Sequence, residues 1–279
     1  MSIPILGAVK KRLIRWDRRV AITKRQQFVI VTGILTVGLL LTQLVSQELR
    51  YPLVFVLSVS AYFLSALVLR QDLRGAEWVT LLTLPTLFTA AVSLFYFLLP
   101  ARWLTRLPVA ALYGIGMYAL LLTENIYNVA ADRTIALLRA AHSVGFLLTL
   151  VTYFLLVQTI LAFRLIAPAT TALIGVMSFF LALAAVWSME LTPEVSGRVR
   201  GISIAVTLFL IELAWVFSFL PTKTTLQALL FTTSFYSAVG MGQQYLVEKL
   251  YKKTVIEFFS VSAIVFVITI IATRWRGNM

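Results

Sequence analysis

The chain has 279 residues, of which 60% are hydrophobic and 13% charged, with a mean hydropathy of +0.93. A soluble domain carries roughly 45–50% apolar and about 25% charged residues, so a soluble globular fold is excluded. Lys and Arg total 24 against 11 Asp plus Glu, a net charge of +13, with no cysteine and one histidine, His142. Disulfides, thiol chemistry and multi-histidine metal centres are thereby excluded, and no cofactor or metal is expected. The excess of cations sits at the N-terminus and between long apolar runs, which points to membrane topology and lipid rather than to nucleic acid.

Residues 1–26 form a basic arm. Leu6, Val9, Leu13, Trp16 and Val20 recur at helical spacing, with Lys10, Lys11, Arg12, Arg15, Arg18 and Arg19 around the rest. Such a helix can lie in the headgroup plane, its cations drawn to anionic phospholipids. The plainer alternative is a topogenic signal that keeps the N-terminus inside. A cleaved signal peptide is not expected, because the apolar run that follows is too long and lacks a small-x-small site.

From residue 27 to 272 the sequence reads as an all-α polytopic transmembrane helix bundle. About 20 apolar residues cross a bilayer core, and nine segments meet that requirement: 27–45, 52–70, 78–99, 108–124, 140–163, 168–188, 201–220, 225–246 and 254–272. The fourth is barely long enough unless it continues past Leu122. Residues 273–279 form a short basic tail, and an eight-span alternative would put that tail on the other side. With the N-terminus inside, the cytoplasmic side holds the eight cations of Lys10–Arg25 plus Arg70, Arg74, Arg133, Arg139, Arg198, Arg200, Lys249, Lys252 and Lys253. The outside holds Arg50, Arg102, Arg106, Arg164, Lys223, Arg274 and Arg276. Seventeen against seven favours a cytoplasmic N-terminus. Trp78, Trp103, Trp187 and Trp275 fall at span ends or connections, as indoles prefer, and Trp215 falls inside a span.

Two polar groupings stand out. Glu212 lies near the middle of the seventh segment with Leu208, Phe209, Trp215 and Val216 as its helical neighbours. A carboxyl there must be protonated or paired with another helix. In the eighth segment Thr232, Thr233, Tyr236, Ser237, Gly240, Gln243 and Gln244 share one arc, which hydrocarbon could not satisfy, so the arc should face protein or water. Glu212, Thr232, Thr233, Tyr236, Ser237, Gln243 and Gln244 are therefore a candidate solute or ion site; tight packing along Ser234, Ala238 and Gly242 is the competing reading. The second grouping is ENIYNVAADRTIALLRAAH at 124–142, where Glu124, Asn128 and Asp132 recur every four residues and Arg139 and His142 share a face of the next helix. With Arg133 they could bind an anion or supply acid–base chemistry; Asp132 equally fits a helix N-cap, and Glu and Asn a solvated span end.

The stretch LLTENIYNVAADRTIALLRAAHSVGFLLTLV (121–151) resembles an uncharacterised family of bacterial multi-pass membrane proteins. The resemblance implies a bacterial cytoplasmic membrane and directs attention to Glu124, Asn125, Asn128, Arg133, Arg139 and His142, without bringing an activity. The G-x-S-x-G elbow, H-E-x-x-H and P-loop signatures are absent. Three readings follow: first a transporter- or channel-like protein for a small solute or ion, then a membrane scaffold or assembly subunit, then a membrane-embedded enzyme on lipid-linked substrates. The expected partners are the bilayer itself and, for a scaffold, a second copy or another membrane protein.

Overall fold

The computed structural model describes residues 23–45, 47–70, 73, 75–99, 103–130 and 137–273. The amphipathic arm with Lys10, Lys11, Arg12, Arg15, Arg18 and Arg19, the pair Asp132 and Arg133, and the tail from Arg274 lie outside the described residues. Those residues form an all-α structure of nine helices: α1 (Lys24–Thr42), α2 (Gln47–Leu69), α3 (Glu77–Tyr96), α4 (Trp103–Ala130), α5 (Leu138–Ala162), α6 (Ala167–Trp187), α7 (Gly197–Phe217), α8 (Thr224–Leu246) and α9 (Lys252–Ala272). Eight are long and apolar enough to cross a membrane; α8 has the length but not the hydropathy. It packs against α5, α6, α7 and α9, which shield its hydroxyls and amides.

Local chemistry fixes several boundaries. Thr23 and Gln26 form a reciprocal capping box before α1, and Ser196 caps α7 by accepting from the Val199 N–H at 3.1 Å. Segments expected to start at Pro52 and Pro108 begin five residues earlier, at Gln47 and Trp103. The charged residues Glu48, Arg50 and Arg106 there suit a helix end at the headgroup level. At its other end α4 does continue past Leu122, to Ala130, making 28 residues or about 42 Å. Trp215 lies two residues from the end of α7, near the depth indoles prefer. Trp187 is also at a helix end but is buried, its Nε1 donating to the Thr192 carbonyl at 2.9 Å.

α5 is the axis of the bundle, in contact with α3, α4, α6 and α8. α1 and α2 flank α3 and α4 on one side, and α6 and α7 form the most extensive pair on the other. Small residues allow the close approaches, as lipid-embedded packing requires. Gly175 meets Ile211 of α7, and Gly242 of α8 meets Ile202 of α7. The row of Ser234, Ala238 and Gly242 therefore does pack. Stacked rings fill the centre: Tyr153 on Phe235 at 4.3 Å and Phe88 on Tyr113 at 5.6 Å between centroids. The Tyr153 and Tyr113 hydroxyls bond Ser178 (3.0 Å) and Thr89 (2.9 Å), so these buried hydroxyls are satisfied. α9 leans on α8 and reaches α7 through Phe266 against Phe217, while Ile256, Phe259, Ile264, Ile268 and Ile271 on its other side are exposed.

Candidate functional site: a buried acid beside a water-sized cavity

Glu124 lies six residues before the end of α4, on a face it shares with Asn128 as four-residue spacing requires. That face turns inward: Glu124 is 3% exposed and Asn128 2%. The Asn128 amide donates to the Leu69 carbonyl at the end of α2, at 3.2 Å, which leaves its Oδ1 buried without a donor. Among the described residues nothing donates a hydrogen bond to the Glu124 carboxyl and no cation pairs with it.

The carboxyl borders a cavity lined also by Thr80, Tyr127, Thr149, Ser188 and Gln243, with Gly145 and Trp187 in its wall. The cavity holds about 20 Å³, room for one water with several polar partners. The wall is held by polar ties between helices. Gln243 donates to the Ala185 carbonyl at 2.7 Å. Tyr127 donates to the Ala141 carbonyl at 3.0 Å, and His142 Nε2 lies 2.8 Å from the Ser188 carbonyl. The Tyr127 and His142 rings are 5.4 Å apart. Gly145 makes the arrangement possible, since a Cβ there would fall 2.6 Å from the Tyr127 hydroxyl.

The start of α3, the end of α4, the start of α5 and the ends of α6 and α8 all meet here, so the cavity belongs to one end of the bundle. Two connections meet over that end. The Ala76 N–H donates to the Pro193 carbonyl at 2.9 Å. Gly75 takes a positive φ of 50°, and a Cβ there would fall 2.4 Å from that same carbonyl, so both the backbone conformation and the close approach call for glycine.

The second sequence grouping therefore splits. Glu124, Asn128 and His142 converge, Arg139 is exposed on the first turn of α5, and Asp132 and Arg133 lie outside the described residues. The first grouping splits as well. Gln243 joins the cavity wall, while Gln244 is half-buried outside it. Thr232 and Thr233 return their hydroxyls to Ala228 and Leu229 of their own helix. Ser237 donates to the Phe258 carbonyl of α9 at 2.9 Å and accepts from Ser262 at 2.8 Å. Tyr236 stacks on Phe146 and lies tilted against Phe258. The arc faces protein, as polar groups in a bilayer must, without opening a compartment to Glu212.

Glu212 is exposed, on an outer face of α7 with Leu208, Phe209, Trp215 and Val216. It also sits nearer an end than expected. α7 starts at Gly197 and stops at Phe217, five residues or about 8 Å beyond the acid, within reach of the headgroups for a flexible side chain. The expected pairing of Glu212 with the α8 hydroxyls is not what the helices assemble.

Tyr127, Thr80, Thr149 and Ser188 are not singled out by the sequence, and Trp187 stands out there only as a span-end indole. Tyr127 follows Glu124 by three residues and so shares its face, a signal that was available. Thr80, Thr149 and Ser188 come from distant helices and carry none.

Residues 76–272 match the family DUF5656, proteins of unknown function, and the chain belongs to that family. The match runs from the turn before α3 through α9 and includes every cavity-lining residue; α1 and α2 precede it. No curated protein and no solved structure matches the chain.

Proposed function

We propose that the protein is a transporter- or channel-like membrane protein in which Glu124 binds the coupling ion, a proton or a monovalent cation. The observation that carries this reading is the carboxyl of Glu124, buried without a hydrogen-bond donor or cation beside a space the size of a water. A carboxyl in that position needs a proton of its own or a cation from outside, because an isolated charge inside a bundle costs several kcal/mol. The orphaned Asn128 Oδ1 adds a second acceptor on the same face. Intramembrane acids aimed at protein interiors are recurrent ion and proton sites. The surplus of Lys and Arg favours an N-terminus in the cytoplasm of a cell membrane, with the Glu124 end on the same side.

Two observations disfavour acid–base catalysis by the 124–142 grouping: Arg139 faces outward, and the nearest partner of His142 is the Ser188 carbonyl.

The test is flux. Purified protein is reconstituted into vesicles with a trapped pH-sensitive dye, and a potassium diffusion potential is imposed in sodium-containing and sodium-free buffer. Wild-type vesicles should acidify, or take up sodium tracer, faster than empty ones, and Glu124→Gln should remove the difference. Equal flux in wild-type and empty vesicles, or full flux in the variant, would refute the reading.

A further inference from the structure

The bundle end opposite Glu124 holds a grouping that the flux reading does not use. It is framed by the end of α1, the start of α2, the end of α3 and the start of α4. Gln43, the C-cap of α1, is 8% exposed and its Nε2 has no acceptor. Tyr96, in the last turn of α3, is 2% exposed and its hydroxyl has no partner. Arg50 enters from the first turn of α2; its Nε is buried without an acceptor, and its guanidinium lies 5.5 Å over the Phe97 ring. Arg106 enters from α4, makes a long 3.5 Å contact to the Gln43 carbonyl, and is close enough to act electrostatically on the Tyr96 hydroxyl.

This end is rich in donors and poor in anions. Within 37–50 and 92–107 the one acidic residue is Glu48, which is exposed. A guanidinium N–H cannot become an acceptor, and a buried donor left unmade costs about 1–3 kcal/mol. α2 and α4 also start here, so the positive ends of two helix dipoles add to the two guanidinium charges. The missing component is an anion with several acceptor oxygens, and guanidinium forks match phosphate in charge and geometry. The flanking surface indicates the source: Leu44, Leu49, Leu98 and Leu104 are all exposed around it, as acyl chains beneath a headgroup would require.

We propose that Arg50 and Arg106, with Gln43 and Tyr96, hold the phosphate of an anionic lipid at the end of the bundle opposite Glu124. The site is separate in sequence from the basic residues of the N-terminal arm. This grouping offers buried, pre-placed donors.

The test uses the full chain in detergent, titrated with phosphatidylglycerol, with phosphatidylcholine and, separately, with inorganic phosphate, and read by native mass spectrometry. A background variant with Lys10, Lys11, Arg12, Arg15, Arg18 and Arg19 all replaced by Gln removes the arm. In that background one phosphatidylglycerol should stay bound, more tightly than phosphatidylcholine. Combining Arg50→Gln with Arg106→Gln should weaken it about tenfold or more, the worth of one charge-assisted hydrogen bond. If the double variant does not fold, Arg50→Lys decides, because it keeps the charge and loses the fork; weaker binding is expected, and unchanged binding would overturn the assignment. Unchanged phosphatidylglycerol binding in the double variant would overturn it too. Inorganic phosphate competing as well as the lipid would overturn the lipid as the source.

Discussion

At one end of the bundle the stranded polar atoms are acceptors. The Glu124 carboxyl and Asn128 Oδ1 have no donor, and Asn125 Oδ1 beside them is likewise unmatched. At the other end they are the donors Gln43 Nε2 and Arg50 Nε, with the Tyr96 hydroxyl, which can donate or accept. Gln158 Oε1, on the flank between α5 and α8, belongs to neither set. Elsewhere in the bundle most buried hydroxyls bond a carbonyl one turn back, as Thr89, Thr149 and Ser203 do. Most polar groups that serve packing are therefore satisfied locally, the hydroxyls of Thr32, Ser65, Ser93 and Thr171 being the exceptions. Those at the two ends are not, and their unmatched atoms differ in kind, which is the basis of the cation proposed at one end and the phosphate proposed at the other.

The difference can be broken from either side. Gly145→Ala should have the largest effect on the protein, because the new methyl meets the Tyr127 hydroxyl at 2.6 Å and Thr123 Cγ2 at 3.1 Å. Overpacking of this kind costs about 1–3 kcal/mol. Thermal unfolding in detergent should register that loss, and ion flux should fall with it as the cavity wall shifts. Trp187→Phe keeps an aromatic ring but deletes the bond from Nε1 to Thr192 and leaves a void where the larger indole was buried; a loss of about 1–2 kcal/mol is expected. Protease cleavage in the α6–α7 connection should speed up, because that bond ties the connection to the end of α6.

At the donor end the sign changes. Arg50→Met removes a buried unmatched donor and keeps an apolar stem against Phe97, so lipid-free stability should hold or rise by up to about 1 kcal/mol. The stabilisation of the wild type by added phosphatidylglycerol should disappear in the same variant, which a melting series with and without lipid would reveal. Glu212→Gln is the smallest change. On an exposed outer face it should move stability by less than about 0.5 kcal/mol and leave flux unaltered; a loss of flux would move the ion site back to α7.

Hydropathy made the helices legible, and their ends less so. An apolar-run reading begins α2 and α4 at their prolines because Glu48, Arg50 and Arg106 look like loop, whereas a helix continues through charge once it reaches the headgroups. Facing was harder to read than depth. Glu212 looked central to function because an acid in an apolar run is conspicuous. Yet the bulky Leu208, Phe209, Trp215 and Val216 around it, against Ser203, Thr207 and Ala214 on the buried face of α7, mark the lipid side. Small residues at one face were the available clue. Glu124 and Asn128 were legible as one face of α4 from spacing alone. That Gln243 from the other half of the chain would reach the same cavity depends on how α4, α6 and α8 converge, which no local pattern encodes.

The central claim is that Glu124 is a carboxyl in contact with water inside the bundle, and infrared difference spectroscopy tests it without needing a substrate. A pH step on reconstituted protein should produce a carboxylic C=O band that Glu124→Gln removes and that shifts on transfer to heavy water. A spectrum identical in the variant, or a Glu124 band indifferent to heavy water, would contradict the account.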